Sequence, residues 1–152
     1  MTLSKVLLLS LLVLCLPARA ADDPVFQPVV DVFAGLSAFD YDRMRNAVTD
    51  DFLLLEHGEV WDMEVLISKV PPSDMVRRNF FSEISRHASG DMVLINYWNR
   101  AEFTVGKKES SLVWLESVVL QKLDGEWKML QMHSTRVEPG TVPADLEFVE
   151  VK

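Results

Sequence analysis

The chain has 152 residues, with 15 basic side chains against 23 acidic ones and a formal net charge of −8. That balance argues against nucleic acid or anionic lipid as a partner, since both are recognised mainly through Lys and Arg. The only cysteine, Cys15, lies in a leader-like segment, so no disulfide is expected and stability must come from a packed core.

The first twenty residues read as a secretory signal peptide. Lys5 gives a positive start, Val6 to Leu16 is apolar apart from Ser10, and Ala18-Arg19-Ala20 offers a cleavage site after Ala20. The apolar run is shorter than the roughly 20 residues that span a bilayer. Leu14 stands before Cys15 where a lipidation signal needs a small residue. The mature chain is thus expected to be secreted or periplasmic, with no stable membrane insertion. Losing Lys5 and Arg19 leaves 13 basic residues against 23 acidic, a charge of −10. About 130 residues make one ordinary domain. Its expected extent is 21–137, with a tail over 138–152.

Within Pro24–Asp40, Val29, Val32, Phe33 and Leu36 form one apolar helical stripe, and Pro28 suits the first turn. Asp42 is a candidate cap for a short second helix, Arg43 to Val48. Asp50-Asp51 breaks the pattern before a short strand, Phe52 to Glu56, a turn at His57-Gly58 and a return strand, Glu59 to Trp61. His57 has no partner at ligand spacing and reads as a surface residue; no metal or other cofactor is expected. Asp62 caps a third helix that Pro71-Pro72 must stop. Ser73 to Asn79 reads as a connector. Its Arg77-Arg78 pair answers local carboxylates or, alternatively, binds an anion.

From Phe80 the period becomes two. Strands are expected at Phe80–His87 and Met92–Thr104, then two more across Ser111–Val137, joined at Asp124-Gly125. In the tail, Leu146-Glu147-Phe148 is a candidate edge segment. The predicted class is α+β: a curved antiparallel sheet with helices gathered on one face.

A two-residue turn at Asp124-Gly125 pairs Leu123 with Glu126 and sets the register outward. Trp127 then faces Lys122, Met129 faces Leu120, Gln131 faces Val118, His133 faces Glu116 and Thr135 faces Trp114. An even loop centred on Lys107-Lys108 adds Asn99 opposite Glu116, Tyr97 opposite Val118 and Ala101 opposite Trp114; a bulge there would shift the pairing by one and turn Trp98 and Arg100 inward instead. In the even register one face gathers Tyr97, Asn99, Trp114, Glu116, Gln131 and His133, polar groups framed by rings, as in a small-molecule pocket. A carboxylate–imidazole pair, Glu116 with His133, could move protons. The same residues also suit a solvated sheet face with a routine surface ion pair.

Three segments resemble the nuclear transport factor 2-like superfamily, and within it the SnoaL-like, ketosteroid-isomerase-like proteins. They are AFDYDRMRNAVTDDFLLLEHGEVWDMEVL, GDMVLINYWNRAEF and LDGEWKMLQMHSTR. The resemblance implies a cone-shaped sheet wrapped around N-terminal helices, a pocket at one end and a homodimer through the sheet. Of the family's residues, only Trp127 and His133 carry over, as packing and pocket residues; the isomerases' aspartate base, tyrosine and second acid find no matching set. The fold serves many functions, so with the signal peptide and the pocket face the expected protein is an exported one binding a small, partly apolar molecule without chemistry. The alternatives are an isomerase, dehydratase or cyclase using Glu116 and His133, or a dimerising structural module.

Overall fold

The computed structural model describes residues 23–138 and 140–151. The expected signal peptide lies outside the described residues.

Helix α1 (Gln27–Ala38) carries Pro28 in its first turn and buries Val29, Val32, Phe33 and Leu36, the stripe expected for it. Phe39 ends it in the left-handed region, and the Asp40 N–H closes back on the Gly35 carbonyl. Helix α2 (Tyr41–Asn46) therefore starts earlier than predicted. Its cap is Asp40 rather than Asp42: the Arg43 N–H donates to Asp40 Oδ1 at 3.0 Å. The chain reverses at Phe39, which makes Asp40 the last non-helical residue, and Asp42 falls in the first turn.

Strands β1 (Val48–Glu56) and β2 (Glu59–Trp61) form a hairpin, and α3 (Met63–Lys69) follows with Asp62 as its cap. Then come β3 (Val76–Ser89), β4 (Met92–Val105), β5 (Lys108–Leu123), β6 (Glu126–Arg136) and a short β7 (Val149–Val151). The curved, unclosed sheet has the order β2-β1-β6-β5-β4-β3-β7. All its pairings are antiparallel except β1 with β6, so the sheet is mixed where an antiparallel one was expected. The reason is topological. Helix α3 and the β1–β2 hairpin carry the chain away after β1, and the later meander returns β6 to the free side of β1 running the same way.

Strand β3 begins at Val76, inside the stretch read as a connector. The edge strand of the tail is Val149–Val151, just beyond the expected Leu146–Phe148, and it pairs with Asn79, Phe80 and Phe81. Phe148 instead stacks on the Arg100 guanidinium at 4.7 Å.

The core lies between α1 and the inner face of the sheet. Phe26, Phe33, Phe81 and Tyr97 meet edge to face at 5.2–5.6 Å, the geometry aromatic quadrupoles favour. Val93, Ile95, Val118, Leu120, Met129 and Met132 complete the inner face.

The β5–β6 hairpin turns at Asp124-Gly125, both with positive φ (50° and 91°), as a tight two-residue turn requires. Its register runs as counted through Lys122↔Trp127 and Leu120↔Met129. It then shifts by one, because Leu130 forms a bulge and Val119 pairs with Gln131. The partner strand β1 is irregular at the same level, between Val48 and Leu53, with Asp50 and Asp51 exposed. The bulge lets Met129 and Met132, three residues apart, both face inward.

Candidate functional site

Past the bulge, every side chain of β6 is on the face opposite to the one predicted. Glu116 faces Ser134, Ser117 faces His133, and Trp114 faces Arg136. His133 is exposed on the outer face, and Gln131 lies opposite Val119 on that same face. The expected Glu116–His133 pair therefore does not form, and acid–base chemistry shared by those two residues is withdrawn. On the other side, β4 and β5 turn at Gly106-Lys107, so Tyr97 faces Glu116 and Asn99 faces Trp114. That is a shift of two from the expected pairing, and a shift of two keeps all four side chains on one face.

That face closes a pocket of about 170 Å³. Helix α1 supplies an apolar wall of Val32, Phe33 and Leu36. Asn99, Glu116 and Ser134 give it a polar floor, and Trp61, Lys69 and Glu56 stand towards β2, α3 and the end of β1. Arg77 enters from β3 and Trp114 from β5. Tyr97 is fully buried behind Glu116 and does not line the pocket. The side chains missed from sequence are thus Ser134, Arg77, Glu56, Trp61 and Lys69. A larger hollow of about 670 Å³ lies outside the sheet, past Pro28, Asp31, Arg43 and Trp127. It is an open groove whose cations are already engaged, Arg43 by Asp31 at 2.8 Å and Lys128 by the Asn46 carbonyl.

Glu116 is 4% exposed. Its Oε1 accepts from Ser134 Oγ at 3.0 Å and from Asn99 Nδ2 at 3.3 Å. Its Oε2 has no direct partner, and neither do Tyr97 Oη and Asn99 Oδ1. Burial pushes the Glu116 carboxyl up to about 7, against the opposing pull of Tyr97, Ser134, Asn99 and the positive charge of Arg77. The Tyr97 phenol falls outside hydrogen-bond geometry with Glu116 Oε2, yet stands close enough that its pull on the carboxylate is the strongest of those opposing burial. Burial, and then the Glu116 charge, hold that phenol well above its ordinary range.

Arg77 stands with its guanidinium 5.3–5.9 Å from the ring centres of Phe33, Phe103 and Trp114. Burial lowers it to about 10, and Glu116 and Glu56 resist that fall, so it stays cationic at neutral pH. Glu56 is raised by burial and drawn back by His57 (3.5 Å away), Trp114 and Arg77. Chemically, the floor offers a carboxyl able both to give and to take a proton near neutral pH, set among neutral hydrogen-bonding groups. Among the described residues no group of three or more His, Cys, Asp or Glu is placed to hold a metal ion, and no helix is long and apolar enough to cross a membrane.

A family model for the SnoaL-like domain matches residues 29–137, and the chain belongs to that family. A search of curated proteins found no match. Among solved structures, the chain is similar to the CamKII hub homology domain of Chlamydomonas reinhardtii (TM-score 0.67, 17% identity, 76% of this chain and 97% of that one). It is also similar to an NTF2-like protein from Cytophaga hutchinsonii (TM-score 0.60, 15% identity, 74% and 95%). A ketosteroid isomerase-like protein from Erwinia carotovora atroseptica gives a TM-score of 0.61 at 13% identity over 80% and 99%. At these identities the structural likeness establishes the NTF2-like fold.

Proposed function

We propose that the protein is an exported small-molecule-binding protein that holds a partly apolar ligand against Glu116. The fold is that of a small-molecule-binding or isomerase-type domain. The observation that carries the reading is Glu116 itself. It lines the floor of a pocket walled by apolar α1 side chains, and a buried carboxyl there gives a partly apolar ligand a polar point of attachment. The pocket of about 170 Å³ is close to the cavity of about 150 Å³ that accommodates benzene, and below the roughly 300 Å³ at which drug-sized sites begin. That volume suits a single ring or a short chain. Export rests on the pattern of Met1–Ala20.

The experiment is to purify the protein without added ligand and determine its structure together with a native mass spectrum. Carried-over density touching Glu116 is the expected result. Density confined to the outer groove beside Trp127 would overturn the reading.

A second reading is an isomerase, dehydratase or cyclase in which Glu116 alone carries the proton. It is favoured by the Glu116 carboxyl standing at about 7, where acid and base forms are both present at neutral pH. A third is a dimerising module. The solved hub homology domain and the apolar outer face of the sheet, with Leu94 and Leu115 exposed, support association of copies through that face.

A further inference from the structure

Arg77 and Arg78 are neighbours on β3 and point to opposite faces of the sheet. Arg78 is outside and bridges Glu150 at 2.8 Å and Glu102 at 3.2 Å. Arg77 points into the pocket, and among the described residues no carboxylate comes within ion-pair distance of it. Its Nε donates to Asn79 Oδ1 at 2.7 Å, and the Asn79 amide is itself held by Ser37 Oγ at 2.8 Å and the Phe33 carbonyl at 3.2 Å. The guanidinium is therefore aimed by a fixed partner and flanked by three rings, while among the described residues no protein group accepts from its terminal nitrogens. A planar, oriented cation with that fork free suits a carboxylate.

We propose that the ligand is a small carboxylate whose charged end pairs with Arg77 while its apolar body lies on Val32, Phe33 and Leu36, and that it enters together with a proton on Glu116. This rests on the binding reading above and names its ligand class. The coupling follows from charge. An ionised Glu116 would set a second negative group beside the incoming carboxylate in a site screened from water. Protonated, it is neutral and its O–H can donate to a ligand oxygen. Reciprocally, an anion on Arg77 cancels the positive field that helps Glu116 ionise, so binding and protonation promote each other. The titratable groups facing Glu116 are Arg77 from β3, Tyr97 from β4, Glu56 from β1 and Lys69 from α3; α1 presents only apolar side chains. Lys69 is turned to Glu59 at 3.8 Å and to the Trp61 ring at 5.1 Å, which leaves Arg77 as the cation of the interior.

The probes are benzoate and its neutral counterpart benzamide, titrated calorimetrically into the protein at pH 6, 7 and 8 in buffers of different ionisation enthalpy. Benzoate is expected to bind more tightly than benzamide at pH 6 and to weaken by about fivefold from pH 7 to pH 8, with close to one proton taken up per ligand at pH 8. Benzamide is expected to show no such slope. R77Q should lose the preference for benzoate and keep benzamide, whose binding reports an intact pocket; R77K, which keeps the charge, should retain part of it. E116Q should bind benzoate equally at pH 6 and pH 8, and E56Q should keep the wild-type slope. Benzamide binding as well as benzoate, or benzoate binding unaffected in R77Q, overturns the carboxylate assignment and leaves the pocket reading standing. A wild-type slope in E116Q, or its loss in E56Q, overturns the proton coupling. Failure of both probes at tens of millimolar overturns this inference and the pocket reading together.

Discussion

Ser134 Oγ donates a 3.0 Å hydrogen bond to Glu116 Oε1 across the β5–β6 ladder, with both residues 5% exposed or less. The bond favours the ionised carboxylate and restrains the rise that burial imposes. Ser134→Ala should move the Glu116 titration further up and cost about 1 kcal/mol at pH 8, where the carboxylate needs its donors. Carbon-13 NMR of the glutamate carboxyls against pH measures the first, and urea unfolding the second. His133→Ala serves as the contrast, because His133 is on the outer face and should leave the Glu116 titration where it is. The opposite ranking of the two variants would place His133, and not Ser134, beside Glu116.

Glu116 should also give the protein an unusual pH dependence. Its folded carboxyl titrates at about 7, against about 4.3 for an unfolded glutamate, so between those values the folded state holds a proton that the unfolded state has released. Its contribution is complete below about pH 4, is lost as pH rises through about 7, and is flat beyond. At about 1.4 kcal/mol per pH unit, the loss is of the order of 4 kcal/mol. Glu116→Gln removes that slope and should exceed wild type in stability at pH 8 while matching it near pH 4. Urea unfolding of both proteins from pH 4 to 8 checks this; parallel curves would show that the carboxyl is not held neutral by burial.

Gly35 reverses an ordinary helix rule. Glycine to alanine inside a helix usually stabilises by up to about 1 kcal/mol. Here an added Cβ would stand 2.5 Å from Met44 Cγ and 2.8 Å from the Asp40 carbonyl oxygen, where α2 folds back on α1. The methionine tip can move, but the backbone carbonyl sits in the turn that caps α2. Gly35→Ala should therefore destabilise by about 1–3 kcal/mol. A higher melting temperature for the variant would show that α1 and α2 separate more easily than their packing implies.

The inward-facing set on β4 and β5 was legible in the chain because parity survives small errors. A tight turn at Asp124-Gly125 orients Glu116, and moving the preceding turn by a residue changes its neighbours on β4 by two, which leaves Tyr97 and Asn99 on its face. An odd shift is not so forgiving. The single extra residue at Leu130 exchanged Ser134 for His133 beside Glu116. Its signal was the apolar pair Met129 and Met132, which a regular strand would place on opposite faces. Arg77 was hidden for another reason. Pro71-Pro72 and the polar residues after them resemble a connector, and only pairing with β4 and β7 shows that Val76–Asn79 is already strand, where Arg77 shares the inward parity of Asn79 and Phe81. Long-range pairing of this kind leaves no local mark.

The outer face of the sheet supplies the last expectation. Leu94 pairs with Val119 and Trp98 with Leu115, and Leu94 and Leu115 are 38% and 41% exposed. The helices pack on the inner side, so this face is free to meet a second copy, burying the 1,000 Å² or so that a stable interface needs. Leu115→Lys puts a charge at the middle of the patch, where two copies related by a two-fold axis would bring like charges together. Light scattering after gel filtration should give twice the monomer mass for the wild type and the monomer mass for the variant. Glu116 lies on the opposite face, so probe binding in the pocket should survive the change in mass. Equal masses for the two proteins would remove the sheet-to-sheet dimer, and loss of binding with the dimer would mean that the pocket is shaped by the partner copy.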